Sequence, residues 1–193
     1  MTDTKTKILE TASELFYSKG YVNTGVEEII TLCQIKKPTL YYYFKSKTDL
    51  GLAYLESKET EFIGVLIKLG QRTKTAREFF AAWTTLVKRS ARENNFHGCP
   101  FSSFAAQLKQ EDRPAFEDKL NSIKGNWLNT VKSILEDRLS AKKKRTDMTE
   151  AASEAMVVFV GASMLYRMTG QMEFLNAMGS QFEKIADKVK SLR

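Results

Sequence analysis

Histidine, cysteine and proline are nearly missing from this chain, which has one His (His97), two Cys (Cys33 and Cys99) and three Pro. Two cysteines far apart in sequence make no disulfide framework, and a single histidine adds no zinc-ligand spacing to them. The same scarcity leaves no Ser-His-Asp set, and no glycine-rich phosphate loop stands in its place, so neither catalysis nor a metal or cofactor is expected. No apolar run approaches the roughly 20 residues of a membrane span. The opening Met1-Thr2-Asp3-Thr4-Lys5 also lacks the apolar stretch of a secretory signal. The expectation is a soluble, cytoplasmic protein with no membrane partner.

What is present is a core and a positive charge. Hydrophobic residues make up 42% of the 193, enough for a buried interior, and 30 basic against 23 acidic side chains give +7. That balance favours a polyanionic partner without identifying it.

Periodicity reads as all-α throughout, with no alternating strand-like segment. A first helix is expected over about 4–19, with Ile8, Ala12, Leu15 and Phe16 on one face and Gly20 ending it. Thr24 or Gly25 should cap a second helix, with Glu27 or Glu28 at the capping-box position and Val26, Ile29 and Ile30 inward. It should stop near Cys33. A third short helix follows, anchored by Leu40 and Phe44 at i, i+4 spacing. Ser46, with Asp49 three residues on, caps a long fourth helix to about Gly70. Thr75 caps a helix expected to bury Phe79, Phe80, Trp83, Leu86 and Val87. After the loop 96–100 come a short helix (101–110) and a long one containing Phe116, Ile123, Trp127, Val131, Leu135 and Leu139. The basic run 141–145 reads as a solvated loop.

Two last helices, about 148–169 and 171–192, are apolar around more of their circumference than one intramolecular face uses. Gly161, Ala162, Ala177 and Gly179 would permit close helix approach. This predicts a two-fold homodimer interface over about 148–192. The division expected is 1–48 for a helix-turn-helix domain and 49–193 for a ligand-binding and dimerisation domain.

Charge is concentrated at the third helix. Lys36, Lys37, Lys45 and Lys47 lie in a stretch without an acid, whereas residues 1–35 hold three lysines against five acids. In a helix-turn-helix the second helix lies in the major groove and its flanks clamp phosphates. Lys37 is placed to reach guanine acceptors, Thr39 a phosphate or thymine methyl, and Tyr42 and Tyr43 phosphate oxygens. Tyr41 is shared between packing and phosphate contact, and Lys47 supplies a second clamp at the start of the fourth helix. The rival reading is a helical adaptor that binds a different protein through its apolar carboxy-terminal helices, with the basic helix serving an acidic partner.

The order Thr24-Gly25-Val26-Glu27-Glu28-Ile29, then Pro38-Thr39-Leu40-Tyr41-Tyr42-Tyr43-Phe44-Lys45-Ser46-Lys47-Thr48-Asp49-Leu50, resembles the DNA-binding signature of the tetracycline-repressor (TetR) family over about residues 5–55. The resemblance implies a homodimeric regulator, usually a repressor, that leaves its operator when a small molecule or chemical signal acts on the second domain. It places DNA contacts on Lys37, Thr39, Tyr41, Tyr42, Tyr43 and Lys47, with Thr24 or Gly25 at the phosphate-facing start of the second helix. Two departures stand out: Gln34 replaces the usual turn glycine, and Lys36 the usual serine cap.

For the inducer, aromatic candidates are Phe80, Trp83, Phe104, Trp127, Phe159 and Tyr166, each of which also fits a core role. Cys99 just ahead of a short helix fits either a small buried turn residue or a thiol sensor. The Gly98-Cys99 pair resembles one in the TetR subgroup that includes the repressor of N-ethylmaleimide reductase, where a cysteine responds to electrophiles. Operator sequence, inducer and sign of regulation are not legible.

Overall fold

The computed structural model describes residues 3–139 and 148–191. The run 141–145, Leu192 and the Leu139 side chain lie outside the described residues. Among those described there are nine α-helices and no strand: α1 (Thr4–Ser18), α2 (Val26–Cys33), α3 (Lys37–Tyr43), α4 (Lys47–Arg72), α5 (Ala76–Arg92), α6 (Pro100–Gln107), α7 (Pro114–Leu139), α8 (Thr149–Thr169) and α9 (Met172–Ser191). The all-α reading therefore holds. The chain divides into two compact units, one of residues 1–60 with 100–122 and the other of 61–99 with 123–193. Both α4 and α7 run through the division, α4 after residue 60 and α7 after residue 122.

In the first unit, α1 buries Ile8, Ala12 and Phe16, one residue per turn on a single stripe. Gly20 ends it at φ 104°, and a Cβ there would run into Gln107. Tyr21 follows and folds back edge-on to Phe16, with centroids 5.1 Å apart. The seam continues from Tyr21 to Phe104 (4.7 Å) and Phe116 (5.4 Å), and from Phe16 to Tyr54 (5.6 Å). Gly51 leaves room for it, since a Cβ there would lie 2.9 Å from the Tyr21 ring and 3.0 Å from Phe116. Lys119 ties the start of α7 to α4 through Glu56 and Glu59. Burial pulls its pKa down, but the hydrogen bonds and charges of both glutamates outweigh that and leave it raised.

The second unit is built on α5, α8 and α9. Thr75 caps α5 as expected, accepting from Glu78 N–H at 3.1 Å. Phe79, Phe80, Trp83 and Val87 are buried, but Leu86, expected inside, is exposed because it falls at the edge of that stripe. Gly170 at φ 70° ends α8, donating to Tyr166 O at 2.7 Å. On α9, Leu175, Met178, Phe182, Ile185, Ala186 and Val189 are buried within this unit. Much of the apolar surplus read as interface is thus intramolecular core. Gly179 likewise faces α5, where a Cβ would meet Thr84 at 3.0 Å. Gly161 on α8 has open space beside it.

Candidate nucleic-acid interface

The site begins at the turn between α2 and α3. Gln34 adopts φ 54° and ψ 44°, the left-handed region that a glycine would enter without penalty. In that conformation its N–H donates to Thr31 O (3.1 Å) and Ile35 N–H to Ile30 O (3.2 Å), closing the end of α2. Lys36 is the N-cap of α3 and, having no acceptor, makes no side-chain cap. Pro38 in the first turn offsets this in part, because one backbone donor is absent there.

Leu40 is fully buried and Phe44 nearly so, which fixes α3 from beneath. Its other side faces solvent. Tyr42 is 74% exposed, Tyr41 37%, and Tyr43 is half-buried with its ring edge-on to Tyr42 at 5.0 Å. Lys36, Lys37 and Lys45 are exposed, and Thr39 is half-buried. The helix thus presents lysines and phenols over two apolar anchors, a surface suited to phosphates, sugars and base edges.

Three sites differ from the simplest reading of the sequence. Thr24 is wholly buried, and its hydroxyl donates to Gly20 O at 2.8 Å, so its side chain is a turn brace. The exposed neighbour Gly25 is the N-cap of α2 and has no side chain to cap with. No capping box forms there, because Glu28 pairs instead with Lys19 at 2.8 Å. Lys47 is half-buried, its ammonium 4.5 Å from the centroid of Tyr21. Burial lowers its pKa, and the charge of Asp112 partly restores it. Finally, Lys37 is paired with Glu27 of α2 at 2.6 Å, and that hydrogen bond and charge raise its pKa.

Sequence reasoning missed Tyr21 and Glu27 as parts of this site. Tyr21 carried a usable signal, since an apolar residue just past a helix-ending glycine commonly packs back on the last turn. Glu27 carried none, because its partner lies beyond a turn.

The inducer candidates do not form one group. Trp83 and Trp127 share contacts with Phe62 (6.1 and 4.9 Å) and Phe159 (5.2 and 5.6 Å). Tyr166 lies against Phe96 at 5.8 Å and donates to Ala91 O at 3.4 Å. Phe104 belongs to the seam of the first unit, against Tyr21, Tyr54 and Phe116. Cys99 is buried, and the preceding turn is held by Arg167, which donates to His97 O at 2.8 Å. On α8, Val157 and Met168 are each 72% exposed and Leu165 is 41% exposed. Among the described residues no cluster of potential metal ligands occurs, and no helix is long and apolar enough to cross a membrane.

Comparison with known proteins agrees with this geometry. Residues 8–54 match the model for bacterial regulatory proteins of the tetR family, and 74–182 match the tetracyclin repressor-like C-terminal domain. The chain is 39% identical over 133 residues to the HTH-type transcriptional regulator QacR of Staphylococcus aureus, covering 69% of each protein. It is 33% identical over 121 residues to the HTH-type transcriptional repressor NemR of Escherichia coli, covering 60% of each. The solved structure of reduced E. coli NemR shares the fold, with a TM-score of 0.78 at 21% identity over 95% of this chain and 97% of that one. A TetR-family regulator from Streptomyces coelicolor has a TM-score of 0.82 at 21% identity, over 97% and 90%. With α2 and α3 forming an exposed basic helix-turn-helix, and both halves matching the family, the chain belongs to the TetR family of DNA-binding transcriptional regulators.

Proposed function

We propose that this regulator is a homodimeric repressor that binds duplex operator DNA through α3 and releases it when a small molecule or electrophile acts on the second unit. The observation that carries the reading is the exposed face of α3, with Lys36, Lys37, Thr39, Tyr41, Tyr42 and Tyr43 raised over buried Leu40 and Phe44. Gly25 and Lys47 are assigned to phosphates beside it, and Thr24 braces the turn behind Gly25. Residues 1–48 carry recognition, and 49–193 carry response and dimerisation.

Two helix-turn-helix copies are needed because one short helix makes too few base contacts for specificity. The uncovered stripe Val157, Gly161, Leu165 and Met168 of α8 supports self-association, since an isolated apolar stripe of this kind is otherwise left in water. The half-sites then lie about 34–36 Å apart or somewhat more. Repression follows the sign in the name of the E. coli relative NemR. For the signal, Trp83, Trp127 and Tyr166 are the candidate ligand contacts, and Cys99 the candidate thiol. Because Cys99 is buried, electrophile sensing there requires the 96–99 turn to open.

The test is fluorescence anisotropy on duplexes selected by the protein from a randomised pool. Tight, salt-sensitive binding to an inverted repeat at two protomers per duplex supports the reading. Equal affinity for selected and scrambled duplexes overturns it. A Cys99→Ser protein that still releases DNA on electrophile treatment removes the thiol branch and leaves a bound inducer as the signal.

A further inference from the structure

Within the helix-turn-helix an acid is held against the reading helix. Glu27 stands in the first turn of α2, Lys37 is the first residue of α3, and Glu27 Oε1 lies 2.6 Å from Lys37 Nζ. Both side chains are exposed, so the pair adds little to folding stability. Among the described residues no acid pairs with Lys36 or Lys45, which lie on the same basic segment. Glu27 therefore acts on one selected lysine.

Lysine is a compact charge on a flexible stem, and left alone it finds phosphates on any duplex, a contact that carries no sequence information. A carboxylate beside it offsets part of that attraction and draws the ammonium toward the α2 side of the helix. An ammonium has three hydrogens, and one directed at Glu27 leaves two for acceptors in the groove, such as guanine O6 and N7. A phosphate oxygen is anionic and is repelled by the Glu27 carboxylate beside the ammonium. Guanine O6 and N7 are neutral acceptors, and the carboxylate opposes them less.

We propose that Glu27 is a specificity-determining positioning residue of the DNA-reading surface, tethering Lys37 for base contact and withholding it from phosphates. This rests on the reading of α3 as the DNA-contacting helix. The carboxylate is expected to weaken binding to every duplex, and to weaken non-specific binding more.

The experiment compares the full-length wild type with Glu27→Gln, Lys37→Ala, Tyr42→Ala and the double variant Glu27→Gln/Lys37→Ala. Each is titrated onto the duplex selected by the wild type and onto a scrambled duplex, across a salt series. Glu27→Gln is expected to bind the scrambled duplex about 5-fold tighter, with a log–log salt slope steeper by about 0.9, the signature of one added phosphate contact. Its affinity for the selected duplex should change less than about 2-fold, so the specificity ratio falls. In the Lys37→Ala background the Glu27→Gln change should leave that ratio unmoved. An unchanged ratio in Glu27→Gln overturns the proposal, and so does an equal fall in the Lys37→Ala background, which would make Glu27 a direct reader or a general repeller. If Lys37→Ala and Tyr42→Ala both bind the selected duplex like wild type, the α3 reading fails and the proposal with it. If they weaken binding while Glu27→Gln leaves the ratio alone, only the role of Glu27 fails.

Discussion

The exposed side of α3 carries lysines and tyrosines, whereas that of α8 carries Val157, Leu165 and Met168. Both helices leave a face uncovered by the other described residues, and the chemistry of each face suits a different partner. A basic, phenolic surface gains most from phosphate and base edges, where charge neutralisation releases counterions. An aliphatic stripe gains only by removing its area from water, which a second identical stripe does by symmetry. The helices also differ in how they are held. α3 spans seven residues and rests on Leu40 and Phe44, while α8 spans 21 and buries Ala152, Ala155, Phe159, Ala162 and Ser163.

Charging the α8 stripe should break the comparison most severely. Val157→Glu with Leu165→Glu places two carboxylates on the exposed face without touching the buried one. The protein should stay folded by circular dichroism, become a monomer by light scattering, and lose about 10²- to 10⁴-fold in operator affinity, the range contributed by linking two sites. A variant that remains dimeric would remove α8 from the interface.

Next in size is a separation of anchor from reader on α3 itself. Leu40→Ala removes a fully buried side chain and should cost about 2–5 kcal/mol of stability in chemical denaturation. Tyr42→Ala, at the most exposed ring, should change stability by less than about 0.5 kcal/mol. It should still weaken operator binding by about 1–3 kcal/mol. Equal loss of stability in both variants would mean that the edge-on contact of Tyr42 with Tyr43 anchors the helix as firmly as Leu40 does.

These two residues also show what was legible in the sequence. Leu40 and Phe44 announced themselves by spacing, as did Ile8, Ala12 and Phe16, because a helix with one wet side must repeat its apolar residues at three to four positions. Caps made by a single local hydrogen bond, at Thr75 and Ser46, were equally readable. Illegible were the choices made between distant segments. Phe104 and Trp127 are both aromatic residues on helices, yet one joins Tyr21 and Tyr54 and the other Phe62 and Phe159. Glycine was ambiguous for the same reason, since a small residue permits close approach without naming the neighbour. Gly179 faces Thr84, and Gly161 faces open space. At Lys47 the position reads as a phosphate clamp, and charge alone gave no sign that its ammonium also lies over the Tyr21 ring.

Lys47 therefore provides a sharper contrast with Lys37. Lys47→Ala should weaken binding to selected and scrambled duplexes alike and reduce the salt slope by about 1, as a phosphate contact requires. Loss of its cation–π contact should also cost about 0.5–1 kcal/mol of stability. Lys37→Ala should lower the affinity for the selected duplex more than for the scrambled one. A sequence-dependent loss at Lys47 would place it at a base edge.

The smallest effect is expected at the turn that sets the angle of α3. Gln34 holds a left-handed conformation that costs an L-residue with a Cβ about 1–2 kcal/mol relative to glycine. Gln34→Gly removes that strain but gives the unfolded chain more freedom, so the net gain should be about 0.5–1 kcal/mol, read as a higher denaturation midpoint. The backbone bonds that close α2, from Gln34 N–H and Ile35 N–H, are unaffected by the substitution. If the turn only connects the two helices, operator affinity stays at the wild-type value while stability rises. If the Gln34 side chain restricts how α3 enters the groove, the freer glycine turn raises stability and lowers operator affinity together. A fall in stability would show that the Gln34 side chain contributes more than its backbone strain removes.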